Sequence, residues 1–276
     1  MEISRSRWVF VIVLMLFIPL TAQAAGPANG TTGAETMQNR SKKEYESTKS
    51  EGLSRTKVTE QEDGQLSKPK KMPIYRPPLR GAPSGRVAGG TRGLGEDIPQ
   101  LCALVPEHVG LTVNAQPRLY YFLSGPSALP LEFTLTERQA VYPLVEARIH
   151  PPQSAGIHEI DLADYDKQLK PGIQYRWFIA LVPDDEHRAK DILASGAIEL
   201  VAASEGLKAK LKQTDDAEAA YIYAEAGFWY DALAAVSEKI AEDQDNRDLL
   251  RQRASLLEQI GLSEASQYEN KSAAAQ

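Results

Sequence analysis

Four histidines, a single cysteine and one acidic triplet are the side chains of this 276-residue chain whose chemistry could go beyond packing. A helical zinc site would put two histidines four apart on one face, and His108, His150, His158 and His187 offer no such pair. His150 and His158 flank a Pro-Pro and Gly turn and are the pair to inspect first; solvated loop positions account for them without a metal. Asp184-Asp185-Glu186 could hold a cation or pass a proton, but short acidic runs ordinarily mark solvated turns. Cys102 sits among Leu101, Ala103, Leu104 and Val105, the setting of a small buried hydrophobe rather than a nucleophile. Being alone, it also excludes an intramolecular disulfide. No Gly-x-Ser-x-Gly elbow occurs, and Gly89-Gly90-Thr91-Arg92 lacks the Lys-Ser/Thr ending and the preceding strand of a phosphate-binding loop. The expectation is a protein that is not an enzyme, with no cofactor and no metal.

Charge is distributed more informatively than any of these groups. Residues 64–95 contain no Asp or Glu but seven Lys and Arg, so with a net charge of −6 the rest of the chain sums to −13. Residues 214–276 alone carry thirteen acidic and five basic side chains, a net of −8. Pro77, Pro78 and Pro83 favour extended backbone, while the glycines between 81 and 95 permit turns and close approach. Arg-Gly spacing occurs in nucleic-acid-binding segments, yet Tyr75 is the only interleaved aromatic, and no nucleic-acid partner is expected. The segment reads as a strap whose Tyr75, Arg76, Arg80, Arg86 and Arg92 dock on an acidic surface. That surface is either carboxylates of the same chain such as Glu225 or Asp231, or a protein or envelope-component partner. In the internal case apolar contacts through Tyr75, Leu79 and Val87 carry the stability and the charges set register.

The run Tyr75, Pro77, Pro78, Arg80-Gly81-Ala82-Pro83, Arg86, Gly89-Gly90-Thr91-Arg92-Gly93 resembles the opening of a bacterial family of domains of unknown function, number 928, best known from cyanobacteria. Leu104-Val105-Pro106, Gly110-Leu111-Thr112, Tyr175-Arg176-Trp177 and Tyr223-Ala224-Glu225-Ala226-Gly227-Phe228-Trp229-Tyr230-Asp231-Ala232-Leu233 continue it in the same order, so the resemblance spans about residues 73–262. It implies an architecture and carries no assigned activity.

The elements that must position these residues follow from periodicity. Arg5 and Arg7 precede an apolar run from Trp8 to Leu20, and Ala22-Gln23-Ala24 supplies the small residues of a cleavage site, so 1–24 reads as a signal peptide. Residues 25–72 are too polar to repay their ordering entropy and read as a disordered leader, followed by the strap at 73–98. From 99 to 203 the period is two, with strands expected at 101–105, 117–123, 131–136, 142–150, 156–162, 173–182 and 193–201. Lys170-Pro171-Gly172 leading into Tyr175 and Trp177 resembles the tyrosine corner of immunoglobulin- and fibronectin-like sandwiches, with Tyr175, Trp177, Ile179 and Leu181 facing the core. Residues 204–262 turn helical, broken at Gly227 and restarted at Trp229, with the small-and-aromatic alternation of a single tetratricopeptide-like unit. Residues 263–276 read as a flexible tail.

The fold class expected is mainly β plus α: an immunoglobulin/fibronectin-like antiparallel β-sandwich followed by a short helical, tetratricopeptide-like segment. The function expected is an exported, periplasmic or secreted, binding or scaffold protein of the envelope. An enzyme acting on a cell-surface polymer, or a purely structural envelope protein, are the alternatives. After signal removal no stretch is long and apolar enough to span a bilayer. Intact-mass analysis of exported protein should therefore give a chain beginning at Ala25 that stays soluble after a salt wash.

Overall fold

Strands and helices in the computed structural model, which describes residues 71–78, 86 and 98–275, follow the change of period along the chain. Eight strands come first: β1 (Leu101–Ala103), β2 (Gly110–Thr112), β3 (Arg118–Leu123), β4 (Leu131–Glu137), β5 (Val145–Ile149), β6 (Gly156–Asp161), β7 (Gln174–Leu181) and β8 (Ile192–Leu200). They form a three-stranded sheet in the order β1-β3-β6 and a five-stranded sheet in the order β2-β8-β7-β4-β5. Pairing is antiparallel throughout except for β2, which runs parallel to β8. Seven strands match the expected spans, five lying within them and β4 and β8 each overrunning by one residue. β2 was not expected, because three residues opening on Gly110 carry no alternation to read.

Where one face meets the core and the other meets solvent, burial alternates. In β4, Leu131, Phe133 and Leu135 are buried and the residues between them are not. β7 places Tyr175, Trp177, Ile179 and Leu181 in the core. The Tyr175 hydroxyl accepts the Lys170 N–H at 3.1 Å, closing the corner over Pro171-Gly172. In β3, by contrast, all residues from Leu119 to Leu123 are buried, because helices cover its outer face.

Five helices follow, α1 (Glu205–Gln213), α2 (Ala219–Ala226), α3 (Trp229–Glu242), α4 (Arg247–Gln259) and α5 (Ser263–Ala275), and that cover comes from α3 and α5. Ser204 and Asn246 cap α1 and α4, accepting the N–H of Leu207 and of Leu249, both at 3.2 Å. α2 ends on Gly227 at φ 84°, a left-handed conformation that costs a glycine nothing and turns the chain into α3.

The flexible tail expected at 263–276 is corrected by α5. Arg253 on α4 donates twice to Glu269 on α5, at 2.9 and 3.0 Å, and once to Ser237 on α3 at 3.2 Å, all within a buried cluster. Tyr268 adds an edge contact to Phe122 and donates to Ala155 O at 2.9 Å. A helix of serines and alanines shows little hydrophobic stripe, so its order comes from this paired charge and from close approach through Ala265 and Ala273. Residues 1–24, expected as a signal peptide, the expected leader up to residue 70, and Leu79, Arg80, Val87 and Arg92 of the strap lie outside the described residues.

Removing one member of a buried pair leaves the other uncompensated. Glu269→Ala should cost about 3–5 kcal/mol, whereas Arg253→Leu with Glu269→Leu should cost less than either single change. Thermal melts of Glu269→Ala, the two single leucine variants and the double variant check the order.

Candidate functional site

The helical layer enters the sandwich through three consecutive residues of α3. The Trp229 indole N–H donates to Leu104 O at 2.8 Å. The Tyr230 hydroxyl donates to Ala197 O at 3.0 Å and accepts the Trp177 indole N–H at 3.0 Å, so a helix side chain completes the hydrogen bonding of the central sandwich tryptophan. Gly110 makes room for this: a Cβ there would lie 2.6 Å from the Tyr230 ring. Asp231 follows, its two oxygens accepting the Thr112 hydroxyl at 3.2 Å and the Val113 N–H at 3.0 Å. Thr112 in turn accepts the Asn114 N–H at 3.0 Å, so the loop after β2 is folded onto the carboxyl.

Beside Asp231 a cleft of about 280 Å³ opens along the seam, lined also by Thr112, Asn114, Gln116, Arg118, Asp161 and Glu238. Arg118 spans it, donating to Asp161 at 3.2 Å on β6 and to Glu238 at 2.6 Å on α3. Asp161 also caps the following turn through the Ala163 N–H at 2.9 Å, which fixes its orientation. Asn114 accepts the Gln116 N–H at 2.9 Å, and Gln116 donates to Lys167 O at 3.1 Å. Burial pushes the Asp231 carboxyl up to about 7, against the pull of its hydrogen-bond donors. A carboxyl in that range suits proton transfer, but both oxygens of Asp231 are engaged with the loop it positions.

The strap residues lie elsewhere, Tyr75 against the start of α3, Arg76 on α2 and Arg86 at the end of α4. Tyr75 is buried, its ring edge-on to Trp229 at 5.0 Å and its hydroxyl 2.9 Å from His108 Nε2. Burial raises the Tyr75 hydroxyl and lowers the His108 imidazole, so both stay neutral and share one hydrogen bond. Arg76 pairs with Glu225 at 3.5 Å on the surface. Arg86 donates to Val105 O at 3.2 Å and Ile260 O at 3.1 Å, bracing a β1-side loop against the end of α4. Asp231, named as a strap partner from the sequence, instead serves Thr112 and Val113, because its position in the first turn of α3 faces the sandwich. Among the described residues no group of three His, Cys, Asp or Glu could hold a metal ion. His158 is tied to Ser154 O at 3.2 Å. Asp184 accepts from Glu186 N and Lys190 at 3.0 Å, an ion-paired turn. Cys102 is half-buried and its thiol is pushed up by burial, away from the thiolate a nucleophile needs. Arg118, Asp161, Glu238 and Thr112 were not singled out from the sequence; the only trace was Thr112 and Asp231 standing inside the two quoted motifs.

Fold and site together define a protein of two sheets backed by a helical layer, with a polar cleft on the seam. The chain matches the family described as Domain of Unknown Function (DUF928) over residues 87–270 and belongs to it. No curated protein matches it significantly. Among solved structures it is compared with a multi-domain immunophilin from Arabidopsis thaliana at 11% identity, covering 71% of this chain and 100% of that one with a TM-score of 0.16, too low to bear on the fold.

A carboxyl raised from 3.8 to about 7 contributes stability that is whole below the lower value and is lost as pH rises through the upper one. The melting temperature of Asp231→Asn relative to wild type should therefore climb between about pH 4 and 7 and level off above. A pH-independent difference would show that Asp231 is ionised in the fold across that range.

Proposed function

We propose that this chain is an exported, non-enzymatic binding protein of the cell envelope whose ligand is held in the seam cleft. The observation that carries it is the lining: two amide side chains, an arginine and three carboxyl groups, each oriented by a protein hydrogen bond and set around an open volume of about 280 Å³. Such a surface matches a ligand rich in hydroxyl, amide or amine groups, as envelope glycans and their amino sugars are, and offers little to an apolar one. The tyrosine corner supports reading the two sheets as an immunoglobulin/fibronectin-like recognition sandwich, and the α2–α3 and α4–α5 hairpins support the tetratricopeptide-like reading. Export rests on the signal-like residues 1–24, and among the described residues no helix is long and apolar enough to cross a membrane.

An enzyme acting on a cell-surface polymer is the second reading, favoured by the raised Asp231 carboxyl beside Glu238 and Asp161. Titration with soluble fragments of envelope glycan separates the two. Saturable binding without product, weakened about tenfold or more by Arg118→Gln with little change in melting temperature, supports the binding protein. Release of new reducing ends, abolished by Asp231→Asn, would replace it with the enzyme. Absence of both would leave the cleft without a ligand role.

A further inference from the structure

Residues 71–78 run extended across the ends of three helices and are held there as a bound peptide would be. The Gln259 side chain on α4 reads the backbone in both directions, donating to Pro73 O at 2.9 Å and accepting the Tyr75 N–H at 2.9 Å. The Arg76 N–H donates to Ala224 O at 3.0 Å, in the last turn of α2, and the Tyr221 hydroxyl donates to Lys71 O. Gly227 lets the segment come close: a Cβ there would lie 2.8 Å from Arg76 O and 3.4 Å from Pro78 Cδ. Side chains alternate, with Pro73 and Tyr75 buried while Ile74, 58% exposed, and Arg76 face outward. Tyr75 fills a slot made by Trp229 and His108.

Every receptor group in this groove belongs to a helix end or to His108, and the occupant contributes two buried anchors and a backbone. Nothing in that set of contacts requires the occupant to be covalently joined to its receptor. The rim is acidic, with Glu225 facing Arg76 and with Glu218 and Asp248 acting on Tyr221 next to Lys71. We propose that the groove is a docking site for an extended, basic partner segment of the Pro-x-Tyr-Arg-Pro kind, and that residues 71–78 are its built-in competitor. Tethering gives the internal segment an effective concentration of order millimolar, so a contact of modest intrinsic affinity stays closed until a partner presents a tighter or locally concentrated segment. This surface is distinct from the seam cleft and does not rest on the function proposed for it.

The test uses the full mature chain and a fluorescent synthetic peptide of residues 71–78. The Tyr75→Ala protein, with its own segment loosened, should bind the peptide about tenfold or more tightly than wild type does. A peptide carrying the same Tyr75→Ala change should not bind. Amide exchange on wild type gives a second reading: the Arg76 N–H should exchange about 100-fold or more faster than the amides of β7, through local release of the segment. Failure of the peptide to bind a folded Tyr75→Ala protein would overturn the proposal. So would an Arg76 amide as slow as β7, which would make the segment an integral part of the fold. If Tyr75→Ala does not fold, the exchange measurement on wild type decides alone.

Discussion

Burial of the first turn of α3 is the constraint on which the rest of the molecule depends. Successive helix residues point about 100° apart, so a surface helix buries one stripe. Here Trp229, Tyr230, Asp231, Ala232 and Leu233 are all buried, which requires the helix end to be surrounded. The sandwich surrounds it by giving up its own hydrogen-bonding closure: Leu104 O, Ala197 O, the Trp177 N–H, the Thr112 hydroxyl and the Val113 N–H all find partners on the helix. With Cys102 as the only cysteine, these bonds do the cross-linking that a disulfide does in many small domains.

Features that look separate follow from that insertion. Gly110 is needed because the Tyr230 ring occupies the space a Cβ would take, and Gly227 because the chain must reverse immediately before Trp229 while Arg76 passes over it. The short β2 is held parallel to β8 and tied by Asp231, so the loop carrying Asn114 and Gln116 is set against α3. The cleft is the gap left where the helix departs from the sheet, and Arg118 spans it.

Charge acts in this protein mainly by direction rather than by strength. Arg76 and Glu225 are both mostly exposed, a kind of pair worth about 0–1 kcal/mol, so the strap is held by Tyr75 and by backbone hydrogen bonds. Arg86 is used as a brace between two carbonyls, both reached from one guanidinium nitrogen. Among the described residues Arg253 and Glu269 form a buried ion pair, and they anchor the helix with the weakest apolar pattern.

By itself the sequence determined whatever is written in local repetition. The period of two set the buried faces of β4 and β7, a turn followed by a tyrosine set the corner at Tyr175, and Gly227 between two periodic runs set the helix break. Its charge asymmetry raised the expectation of a basic strap on an acidic surface, of this chain or of a partner; in the described part of that segment Arg76 pairs with Glu225, while Arg86 meets two carbonyls. Tertiary structure alone decided the order of α5, the existence of β2 and the seam cleft. α5 depends on Arg253, sixteen residues away from Glu269, and β2 on a strand eighty-eight residues later in register. The cleft draws Asn114, Arg118, Asp161, Asp231 and Glu238 from four parts of the chain, and no spacing rule links residues whose only relation is that a helix end was pushed between two sheets.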